Sequence, residues 1–278
     1  MYAPWVRKIH FITYGHVPEW LDRSNPKLNI VNHKEFIPEK YLPTFSSHTI
    51  EHNMFRIKGL SEKFIYFNDD VYLTQKTTPE DFFVNGLPVD SAVMGVIKNS
   101  DDTNFMPYIM LNMMAIINME FSKPQVIKEN PGKWFNPKYG KGLLKNIYLS
   151  SWDIFTGFMN YHKCNSFNKT TFETVWGKYG DVIDRTCSHK SRSKADVNQY
   201  LYRYWQLCEG AFCPGRPDSD YVTIGNESMD DIEKLLYNPK YRVVCINDDP
   251  MGFDFEMEKN KLQTVMKKKY SVKSSFEI

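Results

Sequence analysis

The chain is 278 residues long and carries 35 Lys and Arg against 33 Asp and Glu, a formal net charge of only +2. That balance excludes the strongly basic footprint of a nucleic-acid binder, so no nucleic-acid partner is expected. A composition of 42% hydrophobic and 24% charged residues is ordinary for a soluble enzyme with a substantial core. No apolar run approaches the roughly 18 residues of a membrane span, and the opening MYAPWVRKIHFITYG lacks a charged-then-apolar signal pattern. A cytoplasmic protein is the expectation. The five cysteines, Cys164, Cys187, Cys208, Cys213 and Cys245, form no CxxC pair and read as reduced, mostly buried thiols. Aromatics reach 15% and are expected to fill a core and line a cleft.

In chain order, KIHFIT (8–13) and LNIV (28–31) read as strands, 47–58 as a helix closed by Gly59, KFIYF (63–67) as a third strand and SAVMGV (91–96) as a fourth. This alternation predicts an α/β fold with a mostly parallel sheet covered by helices. From about 104 to 210 the texture is helical, with helices predicted over 105–121, 123–129, 141–148, 168–178 and 194–209. A helix at 229–237, a strand YRVVCI (241–246) and a helical tail at 255–269 follow. Lys267, Lys268 and Lys269 end that tail, where they complement the helix dipole. The expected organisation is one domain, with an α/β core from 1–103 and 211–278 and a mainly helical lobe from 104–210.

Two apolar runs end in the same polar triplet. In FIYFNDDVYL (64–73) Asn68, Asp69 and Asp70 emerge at the carboxyl end of a strand, the edge at which open α/β sheets bind ligands. Adjacent carboxylates there suit a hard divalent cation shared with phosphates, and suit a turn capped by Asn and Asp equally well. RVVCINDDPM (242–251) repeats the pattern with Asn247, Asp248 and Asp249. Whether the two meet depends on strand order.

A basic segment lies in CSHKSRSKADVNQYLYRYWQLCEG (187–210). Ser193 reads as a helix N-cap with Asp196 in the first turn, and Val197, Leu201, Tyr204, Trp205 and Cys208 as one apolar face closed by Gly210. His189, Lys190 and Arg192 would then precede a helix N-terminus, where free N–H groups attract anions; Arg192 suits a bidentate phosphate clamp. A solvated basic turn is the plainer alternative. His162 precedes an Asn- and Thr-rich turn and reads on its own as structural. His48, Glu51 and His52 spell H-x-x-E-H, an inverted zinc-peptidase signature with Glu129 as an available third ligand. A pattern with two free positions also arises readily by accident.

Taken together, APWVRKIHFITYGHVPEWL (3–21), LPTFSSHTIEHNMFRIKGLSEKFIYFNDDVYL (42–73), SHKSRSKADVNQYL (188–201), CINDD (245–249) and KSSFE (273–277) resemble the Stealth family of capsular polysaccharide phosphotransferases, which includes the α/β-subunit of N-acetylglucosamine-1-phosphotransferase. The resemblance implies a Rossmann-like, glycosyltransferase-related core with a helical insertion. It also implies transfer of a hexose 1-phosphate from a nucleotide-sugar donor to the hydroxyl of a glycan acceptor. Asp70, His162 and Arg192 match its catalytic positions; Asn68, Asp69, Lys190 and Asn247 are the matching candidates for donor binding. Asp69, Asp70 and Asp248 would hold Mg²⁺ or Mn²⁺. Two departures stand out. Cys164 replaces the proline usual two residues after the histidine, and the chain begins at the segment that follows the family's opening VYTWVDG-type strand. An inactive truncated remnant therefore stays open, as does an ordinary metal-dependent glycosyltransferase releasing nucleoside diphosphate. A cytoplasmic enzyme is expected, with peripheral contact to membrane-bound capsule machinery at the inner face of the membrane left open.

Overall fold

A computed structural model describes residues 2–225, 228–248 and 254–278. The chain opens with β1 (Ile9–Thr13) and β2 (Leu28–Asn32), paired in parallel with Ile9 opposite Leu28 and Thr13 opposite Asn32. Helix α1 (Ser47–Asn53) passes into a 3-10 turn over Met54–Arg56, so the helix expected to reach residue 58 stops short. Strands β3 (Lys63–Tyr66) and β4 (Val71–Leu73) flank the first acidic triplet. A tight hairpin joins β5 (Phe83–Val84) to β6 (Leu87–Asp90) through Asn85 and Gly86, both with positive φ, the dipeptide that suits a two-residue turn.

The predicted strand at 91–96 does not form. Ala92, Val93 and Met94 are fully buried, but they run past the side chain of Asn146, which accepts from the Met94 N–H at 2.7 Å and donates to the Ala92 carbonyl at 2.7 Å. An apolar run signals burial without fixing its backbone partner.

The helical stretch follows expectation more closely. Helices α2 (Met106–Glu120), α3 (Lys123–Glu129), α4 (Pro131–Trp134) and α5 (Gly142–Leu149) precede strand β7 (Asn165–Asn168) and the long α6 (Lys169–Ser188), which kinks at Tyr179. Helix α7 (Tyr200–Cys208) starts six residues later than predicted. All eight of its residues from Leu201 to Cys208 are buried, so it is a core helix and not one with a single apolar face. Strands β8 (Cys213–Pro214) and β9 (Ser219–Ile224), α8 (Met229–Tyr237), β10 (Val243–Asp248) and α9 (Phe255–Lys269) complete the chain. Ser228 caps α8 and Asp254 caps α9, and the three lysines close the last turn of α9.

The fold is mixed α/β, built on small sheets. β1–β2, β9–β10 and β6–β8 pair in parallel, whereas β3–β7, β4–β10 and β5–β6 are antiparallel. The mostly parallel sheet read from the alternation is thus corrected: the tight turn at 85–86 returns the chain antiparallel, and β3–β7 and β4–β10 join antiparallel strands far apart in sequence.

One apolar core joins α1, β3, β7, α2, α6 and α7. Its centre is aromatic, with Phe172 stacked on Tyr202 (centroids 3.6 Å apart) and against Phe64 and Phe167. A second cluster forms where α8 and α9 cover β9 and β10. All five cysteines are free thiols and only Cys213 is less than buried. No helix of the described residues is long and apolar enough to cross a membrane.

Candidate active site

Asn68–Asp70 and Asn247–Asp248 meet because β4 and β10 are antiparallel. β4 begins immediately after Asp70, β10 ends in Asn247 and Asp248, and Cys245 sits opposite Val71. The start of one strand therefore lies beside the end of the other. The backbone locks this arrangement, with Ile246 N–H donating to the Asp70 carbonyl at 2.9 Å. Asp249 lies outside the described residues.

Asn68, Asp69, Asp70, His162, Arg192, Asn247 and Asp248 all line one open cleft of about 2110 Å³. Lys190 does not: its ammonium donates to the Leu42 carbonyl at 3.0 Å, and its own carbonyl accepts from Phe45 N–H. It ties the basic segment to the 42–45 stretch.

Within the cleft Asn68 and Asp69 are exposed and Asp70 is half-buried. One oxygen of Asp70, Oδ2, accepts from the Cys245 thiol at 3.1 Å, and that bond follows burial in pushing the thiol's pKa up. The other, Oδ1, is withdrawn from solvent and has no partner among the described residues. An unsatisfied buried carboxylate oxygen is costly unless something supplies positive charge or a donor.

His162 stacks on Tyr221 of β9, with centroids 4.5 Å apart and planes at 21°. The residue is exposed, yet packing on one side of the ring desolvates it and lowers its pKa below the usual 6.5. The nearby charge of Asp70 acts in the opposite direction and is the weaker influence. The imidazole is biased toward its neutral, proton-accepting form.

The basic segment corrects a prediction. No helix starts at Ser193; His189, Lys190 and Arg192 instead follow the C-terminus of α6, so no helix N-terminus lies behind them. The local pattern does form, since the Asp196 carboxylate accepts from Ser193 N–H at 2.8 Å. Tertiary partners claim it as well: His48 Nδ1 at 3.0 Å and His189 Nδ1 at 2.6 Å. Burial works against the charge of Asp196, but these bonds together hold its pKa below the ordinary value. The network pins the loop to α1, and Arg192 donates to Ser47 Oγ at 3.0 Å from an exposed position on the cleft wall.

The H-x-x-E-H string resolves into the same packing. His52 Nε2–H donates to the Val197 carbonyl at 3.0 Å and Nδ1 receives the Tyr202 hydroxyl at 2.7 Å, leaving neither nitrogen for a metal. Burial lowers its pKa to about 4. Glu51, which the sequence offered only as the middle of that string, lines the cleft while almost fully buried. Burial raises its pKa despite the Tyr66 hydroxyl donating to Oε1 at 3.1 Å. Among the described residues no three His, Cys, Asp or Glu side chains form a ready metal-holding group.

Acids at a strand turn, an arginine and a neutral-biased histidine around one open cleft suit an enzyme that handles phosphorylated substrates. Residues 1–89 match the family model described as Stealth protein CR2, conserved region 2. The chain is 43% identical over 277 residues to a capsular polysaccharide phosphotransferase, WcwK, of Streptococcus pneumoniae, covering 99% of this chain and 82% of that protein. It is 37% identical to the exopolysaccharide phosphotransferase cps2G of Lactiplantibacillus plantarum, covering 99% of this chain and 81% of that one. A receptor polysaccharide phosphotransferase, WefC, of Streptococcus oralis is 36% identical, with 100% of this chain and 83% of the relative covered. The chain belongs to the Stealth family of phosphotransferases.

Proposed function

We propose that the chain transfers a hexose 1-phosphate from a nucleotide-sugar to a glycan hydroxyl in the synthesis of a capsular or other cell-surface polysaccharide. Relatives named as polysaccharide phosphotransferases support the reaction class. The observation that carries the chemistry is Oδ1 of Asp70, without a partner among the described residues, beside Asp69 and in one cleft with His162 and Arg192. In this reading the chain is a single catalytic unit with residues 104–210 as its helical lobe. The parallel pairs β1–β2 and β9–β10 belong to a Rossmann-like, nucleotide-binding core.

An orphaned carboxylate oxygen next to a second, exposed carboxylate fits a hard cation. Asp69 and Asp70, with Asp248, would hold Mg²⁺ or Mn²⁺, which when bound supplies charge neutralisation to the donor diphosphate. The remaining work falls to the protein. Asn68 and Asn247 hydrogen-bond the donor at the cleft floor. His162 takes the proton of the acceptor hydroxyl as its oxygen bonds to the β-phosphorus. The bond from that phosphorus to the bridging oxygen breaks, and the nucleoside monophosphate departs with the electron pair. Arg192 neutralises charge on the phosphoryl group in transit.

Because His162 accepts a proton only when neutral, kcat/KM should rise with pH and level off. Its lowered pKa places the inflection below pH 6.5. A rate profile with the limb centred above 6.5, or the same limb in His162→Gln, would remove this assignment.

The deciding experiment identifies the nucleotide released from a panel of nucleotide-sugars with Mg²⁺ or Mn²⁺ and glycan acceptors. Nucleoside monophosphate together with a phosphodiester in the product is expected. Nucleoside diphosphate would instead make the enzyme a glycosyltransferase attacking the anomeric carbon.

A further inference from the structure

Helix α5 is built inside out. Its buried face carries Asn146, fully enclosed, whose amide donates to the carbonyls of Ala92 (2.7 Å) and Trp134 (2.6 Å) and accepts from Met94 N–H. Only Leu149 joins it beneath the surface as a buried apolar residue. The outward side and the turn that follows display Leu144, Ile147, Tyr148, Trp152 and Ile154, each between 50% and 74% exposed. Soluble helices of this length ordinarily bury such residues and expose the amide.

The apolar side chains are also held in place from below. Lys123 is buried, and its ammonium donates to the carbonyls of Leu149, Trp152 (2.8 Å) and Ile154 (3.2 Å). One cation thus closes the C-terminus of α5 and fixes the turn that carries Trp152 and Ile154. This is a rigid, preformed patch. Residues 130–155 contain Lys133, Lys138, Lys141 and Lys145 against the single acid Asp153. Lys133 and Lys138 donate to the carbonyls of Gly210 and Pro214, which leaves Lys141 and Lys145, on α5 and the residue before it, as the cations beside the apolar face.

We propose that this face docks on an anionic membrane surface. Exposed Trp and Tyr beside aliphatic residues favour the boundary between headgroups and acyl chains. Lys141 and Lys145 can keep their ammonium groups among lipid phosphates while their stems lie along apolar surface. The chain reaches His162 eight residues after Ile154, so the patch lies within about 28 Å of that residue. The Lys145 ammonium lies 3.3 Å from the sulfur of Met159 on that connecting segment. Docking here would hold the cleft near the membrane. The inference stands on the exposed face and its charge, and does not depend on which bond the enzyme breaks.

The test is cosedimentation of the full chain with vesicles of mixed phosphatidylglycerol and phosphatidylcholine, beside pure phosphatidylcholine, at about 0.1 M salt. Binding to the anionic vesicles is expected to be at least about tenfold tighter. Ile147→Ser with Trp152→Ser, and separately Lys141→Glu with Lys145→Glu, should each weaken it by about tenfold or more, with unchanged circular dichroism and melting temperature. Failure of the wild-type chain to sediment with anionic vesicles overturns the proposal, as does unaltered binding by either pair of variants. So does analytical ultracentrifugation in which the Ile147→Ser, Trp152→Ser variant loses a dimer while vesicle binding is unchanged, since the patch would then pair two copies of the chain.

Discussion

Replacing Asp70 by Asn is expected to lower kcat by about 10³-fold or more, roughly 4 kcal/mol of transition-state stabilisation, with little change in folding stability. The substitution keeps the shape and removes the charge. Oδ2 is held by the Cys245 thiol, and the backbone carbonyl of Asp70 by Ile246 N–H. Neither anchor needs a carboxylate, so the turn between β3 and β4 should persist. What disappears is the anionic character of Oδ1, the atom without a partner among the described residues at the cleft wall. If that oxygen serves a cation and the donor phosphates, Mn²⁺ affinity measured by electron paramagnetic resonance should fall together with turnover. Activity within a few-fold of wild type, at an unchanged melting temperature, would assign Asp70 to the turn alone.

How much of this site is legible in the sequence depends on whether a local rule had a competitor. Asn68–Asp70 and Asn247–Asp248 were readable because an apolar run ending in acids has few structural outcomes. Their meeting was not, since it rests on the antiparallel pairing of two strands some 170 residues apart. Arg192 was found for an incomplete reason. Its cleft position is real, but the helix expected behind it is absent, because Asp196 answers to His48 and His189 as well as to Ser193. Lys190, adjacent in sequence and identical in charge type, faces the 42–45 segment instead. Short-range spacing cannot separate two such neighbours.

The fold shows the same division. Helices α8 and α9 begin at capping residues with acids in the first turn and fall where predicted. The run at 91–96 misleads because burial without period leaves the backbone undetermined, and the start of α7 because Asp196 serves His48 and His189 as well as Ser193. The exposed face of α5 is legible in part: KGLLKNIY (141–148) reads as a helix, but its spacing does not reveal that Asn146 faces inward. The most consequential omission is a charge inside an apolar run. LYRYWQLC places Arg203 among residues that are all buried, and a buried arginine requires a partner that the local sequence does not supply.

That partner is Asp90, and separating the two should have the largest effect on stability of any single change argued here. Arg203 grips it with both arms, Nε to Oδ2 at 2.6 Å and Nη2 to Oδ1 at 3.1 Å, at 2% and 7% residue exposure. Burial alone would raise the Asp90 pKa, but the guanidinium reverses this and holds it below the ordinary carboxylate value. The same arginine donates to the carbonyls of Ser91 and Met159 and to Asn160 Oδ1 at 3.0–3.1 Å. It thereby joins the end of β6 to the segment two residues before His162. Arg203→Ala strands a buried carboxylate, although Ser91 O keeps the Val93 N–H and Asn160 Oδ1 the Tyr204 hydroxyl, and a loss of about 3–5 kcal/mol is expected. That corresponds to a fall of roughly 10 °C in melting temperature. Because the Asp90 pKa is depressed in the folded state, the pair's stabilisation is present above the unfolded carboxylate value near pH 4 and is lost as pH falls through the folded value. The gap between wild type and Arg203→Ala in urea titrations should therefore be widest at neutral pH and narrow in acid. Arg203→Lys retains the charge without the fork and should recover part of the stability while leaving Met159 and Asn160 less firmly held. A lower kcat at a melting temperature close to wild type would then separate the positioning of His162 from plain destabilisation, whereas a loss below about 1 kcal/mol in Arg203→Ala would show that Asp90 finds water or another donor when its partner is removed.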